Sequence, residues 1–210
     1  MKKEENLVKS LFEGCMTVPN LLTVIRIIIV PFFAYFFIKE QKVLAVSLLV
    51  VSGLTDFLDG KIARRFNQIS ALGKVLDPVA DKITMITIAI MMLILFLGAE
   101  DPVMRAAGYV FIVFLVKEGI FVVGGALMIA FGIRPQPAVM CGKVATFVFY
   151  LVMIALLLFG PGIGFVSAFT IPSTVAVVMV SVSALCTIIA FIGYIPGIVK
   201  QVKERFSKEK

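Results

Sequence analysis

The amino-acid sequence predicts an all-α polytopic membrane protein with six transmembrane helices and a short N-terminal amphipathic helix. Three observations carry that expectation. The first is composition: at 60% hydrophobic, 16% charged and a mean hydropathy of +1.08, a chain of 210 residues has more apolar surface than a soluble core can hide. The second is segmentation, with apolar runs at about 19–38, 43–58, 79–99, 104–131, 139–160 and 171–199. Most reach the roughly 20 helical residues needed to cross a hydrocarbon core of about 30 Å. The third is charge placement. With the N-terminus inside, one face collects Lys2, Lys3, Lys9, Lys61, Arg64, Arg65, Lys74, Arg134, Lys143, Lys200, Lys203, Arg205, Lys208 and Lys210, and the other only Lys39, Lys42 and Arg105. That bias puts both termini on the cytoplasmic side of a membrane, expected to be a bacterial cell membrane.

The elements follow in chain order. Residues 1–15 interleave Leu7, Val8, Leu11 and Phe12 with Lys2, Lys3, Glu4, Glu5 and Lys9, which reads as an interfacial amphipathic helix. Mixed Lys and Glu ahead of a long apolar segment argue against a cleaved signal peptide. Residues 16–199 form the six-span domain, in which the shortest run, 43–58, continues as helix past Asp59. Residues 200–210 read as a basic, solvated cytoplasmic tail suited to anionic headgroups.

Asp56, Asp59, Asp77 and Asp81 are the chemical anomaly in this apolar chain. Asp56 and Asp59 are three apart and Asp77 and Asp81 four apart, so each pair shares one face of its helix, and the two faces meet across a short turn. Carboxylates beside a bilayer are costly unless they meet a cation or line a wet cavity. Hard oxygen ligands of this kind suit Mg²⁺ or Mn²⁺, with two ions per site and the remaining positions filled by water and substrate phosphate. Gly60 and Gly73 let a bulky ligand approach the backbone, Ala63 clears space one turn after Asp59, and Arg64 with Lys74 supplies positive charge for phosphate oxygens. The competing reading is a solvated loop whose acids pair with Arg64, Arg65 and Lys82.

Two absences narrow the chemistry. The chain has no histidine, which removes the commonest general base and any phosphohistidine intermediate. Cys15, Cys141 and Cys186 form an odd set without C-x-x-C spacing, so neither disulfides nor zinc are expected.

Written out, Asp56-x-x-Asp59-Gly60-x-x-Ala63-Arg64, eight residues, then Gly73-x-x-x-Asp77-x-x-x-Asp81 resembles the CDP-alcohol phosphotransferase family at every fixed position of its motif. The resemblance implies a six-helix membrane domain, often a homodimer, that moves a phosphatidyl or phosphoalcohol group from a CDP-linked donor to an alcohol and releases CMP. It gives Asp56, Asp59, Asp77 and Asp81 the metal-binding role, makes Asp81 the base for the acceptor hydroxyl, and assigns Gly60, Ala63, Arg64 and Gly73 to the cytidine diphosphate.

The flanks bear on the acceptor. Val18-Pro19-Asn20-Leu21-Leu22-Thr23-Val24-Ile25-Arg26, Leu76-Asp77-Pro78-Val79-Ala80-Asp81-Lys82 and Gly142-Lys143-Val144-Ala145-Thr146 look like the phosphatidylglycerophosphate synthase branch of the family. That branch implies CDP-diacylglycerol as donor and glycerol 3-phosphate as acceptor. Similar segments occur in cardiolipin synthases, which take phosphatidylglycerol. Asn20, Thr23 and Arg26 share a helical face. They either border the nucleotide or act as a capping Asn and a snorkelling Arg. Lys117 and Glu118 interrupt an apolar span. They either satisfy each other, or Lys117 joins Arg134 and Lys143 in a basic acceptor pocket. The synthase branch tends to carry an Arg-Glu pair with another Arg two turns later, where this chain has Gly124 and Gly125. Membrane lipids are expected partners and nucleic acid is not. A transporter or a membrane prenyltransferase is a remote alternative, because the acids cluster at one edge and the glycine pattern is wrong for a prenyl-diphosphate site.

Overall fold

The structure, a computed structural model, describes residues 17–66, 70, 72–130, 140–166 and 168–207. The expected amphipathic helix at 1–15 lies outside the described residues. Among them are six α-helices and no strand: α1 (Val18–Ile38), α2 (Lys42–Arg65), α3 (Gly73–Leu97), α4 (Pro102–Ala130), α5 (Met140–Phe159) and α6 (Ser173–Ser207). All but α2 are long and apolar enough to cross a membrane. The exception has a physical cause. The apolar part of α2, residues 43–55, rises only about 20 Å at 1.5 Å per residue, after which Asp56, Asp59, Lys61, Arg64 and Arg65 follow on the same helix.

Helix ends follow their local chemistry. Thr17 caps α1 by accepting from the Asn20 amide, with Pro19 in the first turn where no donor is needed. At its other end Gln41 N–H donates to Phe36 O and Glu40 N–H to Phe37 O, the paired bonds of a Schellman stop. Glu40 occupies the left-handed position usually given to glycine, at φ 57°. Asp101 opens α4 by accepting from the Val103 amide at 2.9 Å, with Pro102 next in sequence. The segment between α5 and α6 folds back on the end of α5 through Val166 N–H to Leu158 O and Ile171 N–H to Phe159 O. A Cβ on Gly164 would sit 2.7 Å from Leu158 O, so that return needs glycine.

Into the residues expected to form the basic tail at 200–210, α6 continues as helix through Ser207. Nothing between Ile198 and Ser207 breaks a helix, and Lys200 to Arg205 is rich in strong helix formers.

The chain divides into two compact units, Met1–Ile88 and Ala89–Lys210, with the boundary inside α3. In the first, α1 packs on α2, burying Val30 and Phe33 with Ala45, Val46 and Leu49. In the second, α6 packs on both α4 and α5. Its core includes Phe114 stacked on Phe149, ring centroids 4.7 Å apart, and Phe96 edge-on to Phe111. Large apolar side chains such as Ile28, Ile94, Val113, Phe147 and Leu185 are exposed, as lipid-facing surfaces require. Cys141 and Cys186 are free thiols, and Cys15 lies outside the described residues.

Candidate functional site

The site is built from the ends of three helices in the first unit. Asp56 and Asp59 lie on α2, Asp77 and Asp81 on the first turns of α3. Facing them, α1 carries a stripe of polar side chains, Asn20, Thr23 and Arg26, all nearly or fully buried. At a spacing of three, the stripe rises about 4.5 Å per step, so each member meets a different partner.

Arg26, the largest fully buried side chain among the described residues, has no exposed surface. Its NH1 lies 2.6 Å from Asp56 Oδ1, and its NH2 donates to Asp59 Oδ2. Thr23 Oγ1 lies 2.6 Å from Asp77 Oδ1 and 3.1 Å from Pro19 O. Its single proton goes to the nearer and charged acceptor, a short charge-assisted bond. Asn20 Oδ1 accepts from Ser70 Oγ at 3.0 Å, and Ser70 Oγ accepts from the Gly73 amide at 2.9 Å, which ties α1 to the start of α3.

Snorkelling is therefore overturned for Arg26, because carboxylates from another helix hold the guanidinium inside the protein. Capping is overturned for Asn20: Thr17 performs it, and the Asn20 side chain reaches α3 instead. The side of Gly73 that a Cβ would take is occupied by Asn20 and Ser70. A Cβ there would stand 2.5 Å from Asn20 Oδ1 and 3.0 Å from Ser70 Oγ, so glycine is what permits α1 and α3 to meet. Ser70 was not legible as a site residue, although a serine three positions before a helix start is a capping signal that points to it.

The four carboxylates differ in access. Asp59 has 6% of its side chain exposed and Asp56 43%, while Asp77 and Asp81 are half-buried. Asp56 and Asp77 stand close enough for their charges to repel. Among the described residues no three acidic side chains close into a ready-made ion cage. The donors fit a hard divalent cation all the same. They are all carboxylate oxygens, they come in facing pairs from two helices, and Asp56 opens outward where water or phosphate can complete a coordination shell.

The other expected residues are less concentrated. Gly60, Ala63, Arg64 and Lys74 lie on α2 and α3, with side chains outside the described set, and Arg134 is outside it altogether. In the second unit, Lys117 Nζ pairs with its neighbour Glu118 and sits 4.8 Å from the Phe114 ring centroid, while Lys143 is exposed on α5.

A sequence profile described as CDP-alcohol phosphatidyltransferase matches residues 16–189. The chain is 34% identical over 131 residues to an Aquifex aeolicus protein named CDP-diacylglycerol–glycerol-3-phosphate 3-phosphatidyltransferase, covering 62% of this chain and 70% of that one. It is 36% identical over 136 residues to a putative cardiolipin synthase of Mycobacterium bovis, covering 64% and 61%. Against a human cardiolipin synthase (CMP-forming) the identity is 49% over 75 residues, covering 35% of this chain and 25% of the other.

Proposed function

We propose, for a chain that belongs to the CDP-alcohol phosphatidyltransferase family, the metal-dependent transfer of a phosphatidyl group from CDP-diacylglycerol to glycerol 3-phosphate. The products are phosphatidylglycerophosphate and CMP, a step of phospholipid biosynthesis. The observation that carries this reading is the pair of carboxylate pairs on α2 and α3, three of whose members are held in place by α1.

Asp56, Asp59, Asp77 and Asp81 hold the divalent cations, Mg²⁺ or Mn²⁺ and two per site. Bound there, the cations supply charge neutralisation for the diphosphate and the departing CMP. Asp81 takes the proton of the acceptor hydroxyl. The freed oxygen forms a bond to the phosphorus carrying the diacylglycerol as the P–O bond to CMP breaks. Gly60, Ala63, Arg64, Gly73 and Lys74, on the same two helices, are assigned to the cytidine diphosphate, and Lys117, Arg134 and Lys143 to the acceptor phosphate. Asn20, Thr23 and Arg26 border the nucleotide, with Thr23 and Arg26 also holding carboxylates and Asn20 bonded to Ser70. The active site and termini face the cytoplasm, and the working assembly is a homodimer.

Two observations favour a second acceptor, phosphatidylglycerol, as in a cardiolipin synthase. The identity to the Mycobacterium protein is as high as that to the Aquifex protein. Gly124 and Gly125 also stand where the synthase branch carries a basic residue. Purified protein with CDP-diacylglycerol and Mg²⁺ or Mn²⁺, given each acceptor in turn, separates the readings by lipid product. CMP release only with glycerol 3-phosphate supports the first, and release only with phosphatidylglycerol the second. No metal-dependent release with either sinks the transferase reading. Asp81→Asn is expected to keep its helical content and lose turnover, and near-native turnover removes Asp81 as the base.

A further inference from the structure

We propose that Arg26, with Thr23 beside it, is the positioning element of the carboxylate site, so that α1, which carries none of the four aspartates, sets the geometry in which they bind divalent cations. The proposal rests on the metal-site reading above and adds to it a role for a helix outside the aspartate motif.

Arg26 reaches Oδ1 of Asp56 and Oδ2 of Asp59 with its two terminal nitrogens, and Thr23 reaches Oδ1 of Asp77. Each of these contacts restrains the rotamer of the carboxylate it reaches. Residues that orient the ligands of a cation in this way are worth a large share of its affinity. A guanidinium suits the task because its planar fork engages two carboxylates at once, whereas an ammonium is a single point charge.

Burial strengthens the case. Arg26 has no exposed surface; its Nε has no hydrogen-bond partner among the described residues, and its NH1 meets Asp56 as an ion pair without an aligned hydrogen bond. The guanidinium is therefore held inside the protein by its ion pairs with the two acids. A buried ion pair with an unused donor is a poor way to gain stability compared with an apolar contact of similar size. It makes sense where the orientation of both acids matters.

The test measures binding of Mn²⁺ alone to the purified full chain, by the loss of the free-ion electron paramagnetic resonance signal. Helical content and thermal midpoint are recorded without metal. Arg26→Lys keeps the charge and loses the fork; Arg26→Gln loses both. Each is expected to bind Mn²⁺ about 10- to 100-fold more weakly with helical content unchanged. Native affinity in Arg26→Lys, or tighter binding in Arg26→Gln, overturns the proposal, since Arg26 would then be a counter-charge or a competitor for the site. If the Arg26 variants do not fold, Thr23→Val keeps the shape and removes only the bond to Asp77. A several-fold loss of Mn²⁺ affinity in that variant supports the proposal, and native affinity overturns it. A native protein that binds no Mn²⁺ sinks the metal reading itself, a result distinct from native protein and Arg26→Lys binding alike.

Discussion

Arg26 and Lys117 each sit inside an apolar helix, and they are paired in opposite ways. Arg26 on α1 pairs with Asp56 and Asp59, the latter 33 residues away on another helix, whereas Lys117 on α4 pairs with the next residue, Glu118. A pair formed between helices fixes how those helices sit and where the acids point. A pair formed between sequence neighbours fixes neither. Intramembrane charge alone therefore does not identify a site; the element that supplies the partner does.

The sharpest break in this comparison is Asp59→Ala. It leaves the buried guanidinium with Asp56, whose side chain is 43% exposed, as its remaining carboxylate partner. Stripping one member from a buried pair typically costs about 3–5 kcal/mol. The expected result is a marked fall in the thermal midpoint of the purified protein measured without metal. A variant that melts like the native chain would show that Arg26 does not depend on Asp59.

Gly73→Ala tests the same interlocking through shape instead of charge. Its new methyl group would stand 2.5 Å from Asn20 Oδ1, so α1 or α3 must shift. Overpacking of this kind costs about 1–3 kcal/mol. Adding Asn20→Ala removes the obstructing amide and is expected to recover part of that loss. If the single variant is as stable as the native chain, the contact between α1 and the start of α3 is looser than its geometry implies.

Replacing both members of the local pair, Lys117→Met with Glu118→Gln, is expected to change stability by no more than about 1 kcal/mol. Removing both partners of this pair leaves neither charge facing the other's absence, and methionine suits the Phe114 ring. The same double variant separates structure from acceptor binding. A raised acceptor requirement with unchanged melting assigns Lys117 to the acceptor, and unchanged kinetics removes it.

This contrast also explains what could be read from the sequence. The spans were legible because lipid imposes a long apolar run on each, and the helix ends near Gln41 and Pro102 were marked by breaks in those runs. The two aspartate pairs were legible because spacings of three and four place side chains on one face. What the aspartates touch was not, because Arg26 and Lys117 look alike in one dimension, each a cation within apolar neighbours. Only the packing of α1 on α2 separates them. Ser70 and Gly73 were obscured for a similar reason: their task is to admit Asn20, a residue 50 positions away from Ser70.

The smallest effect belongs to an acid that needs no buried partner. Asp101 is partly exposed at the start of α4, and its carboxyl is held below the usual range first by a hydrogen bond from the Ser173 side chain and then by the Val103 amide. A folded-state pKa below the unfolded value of about 3.9 means the unfolded chain binds the proton more readily. The contribution of Asp101 is then complete above that value and fades as pH falls through the lower folded one. Asp101→Asn should therefore flatten the fall in thermal midpoint below about pH 4 relative to the native protein, with a slight loss of stability at neutral pH. Ser173→Ala should do the same more weakly, since the Val103 amide remains. Matching acid profiles for the native chain and Asp101→Asn would mean that these bonds do not persist in solution. Substituting an acid bridged to a buried guanidinium, such as Asp59, should register already at neutral pH, whereas substituting this partly exposed one should register mainly in acid.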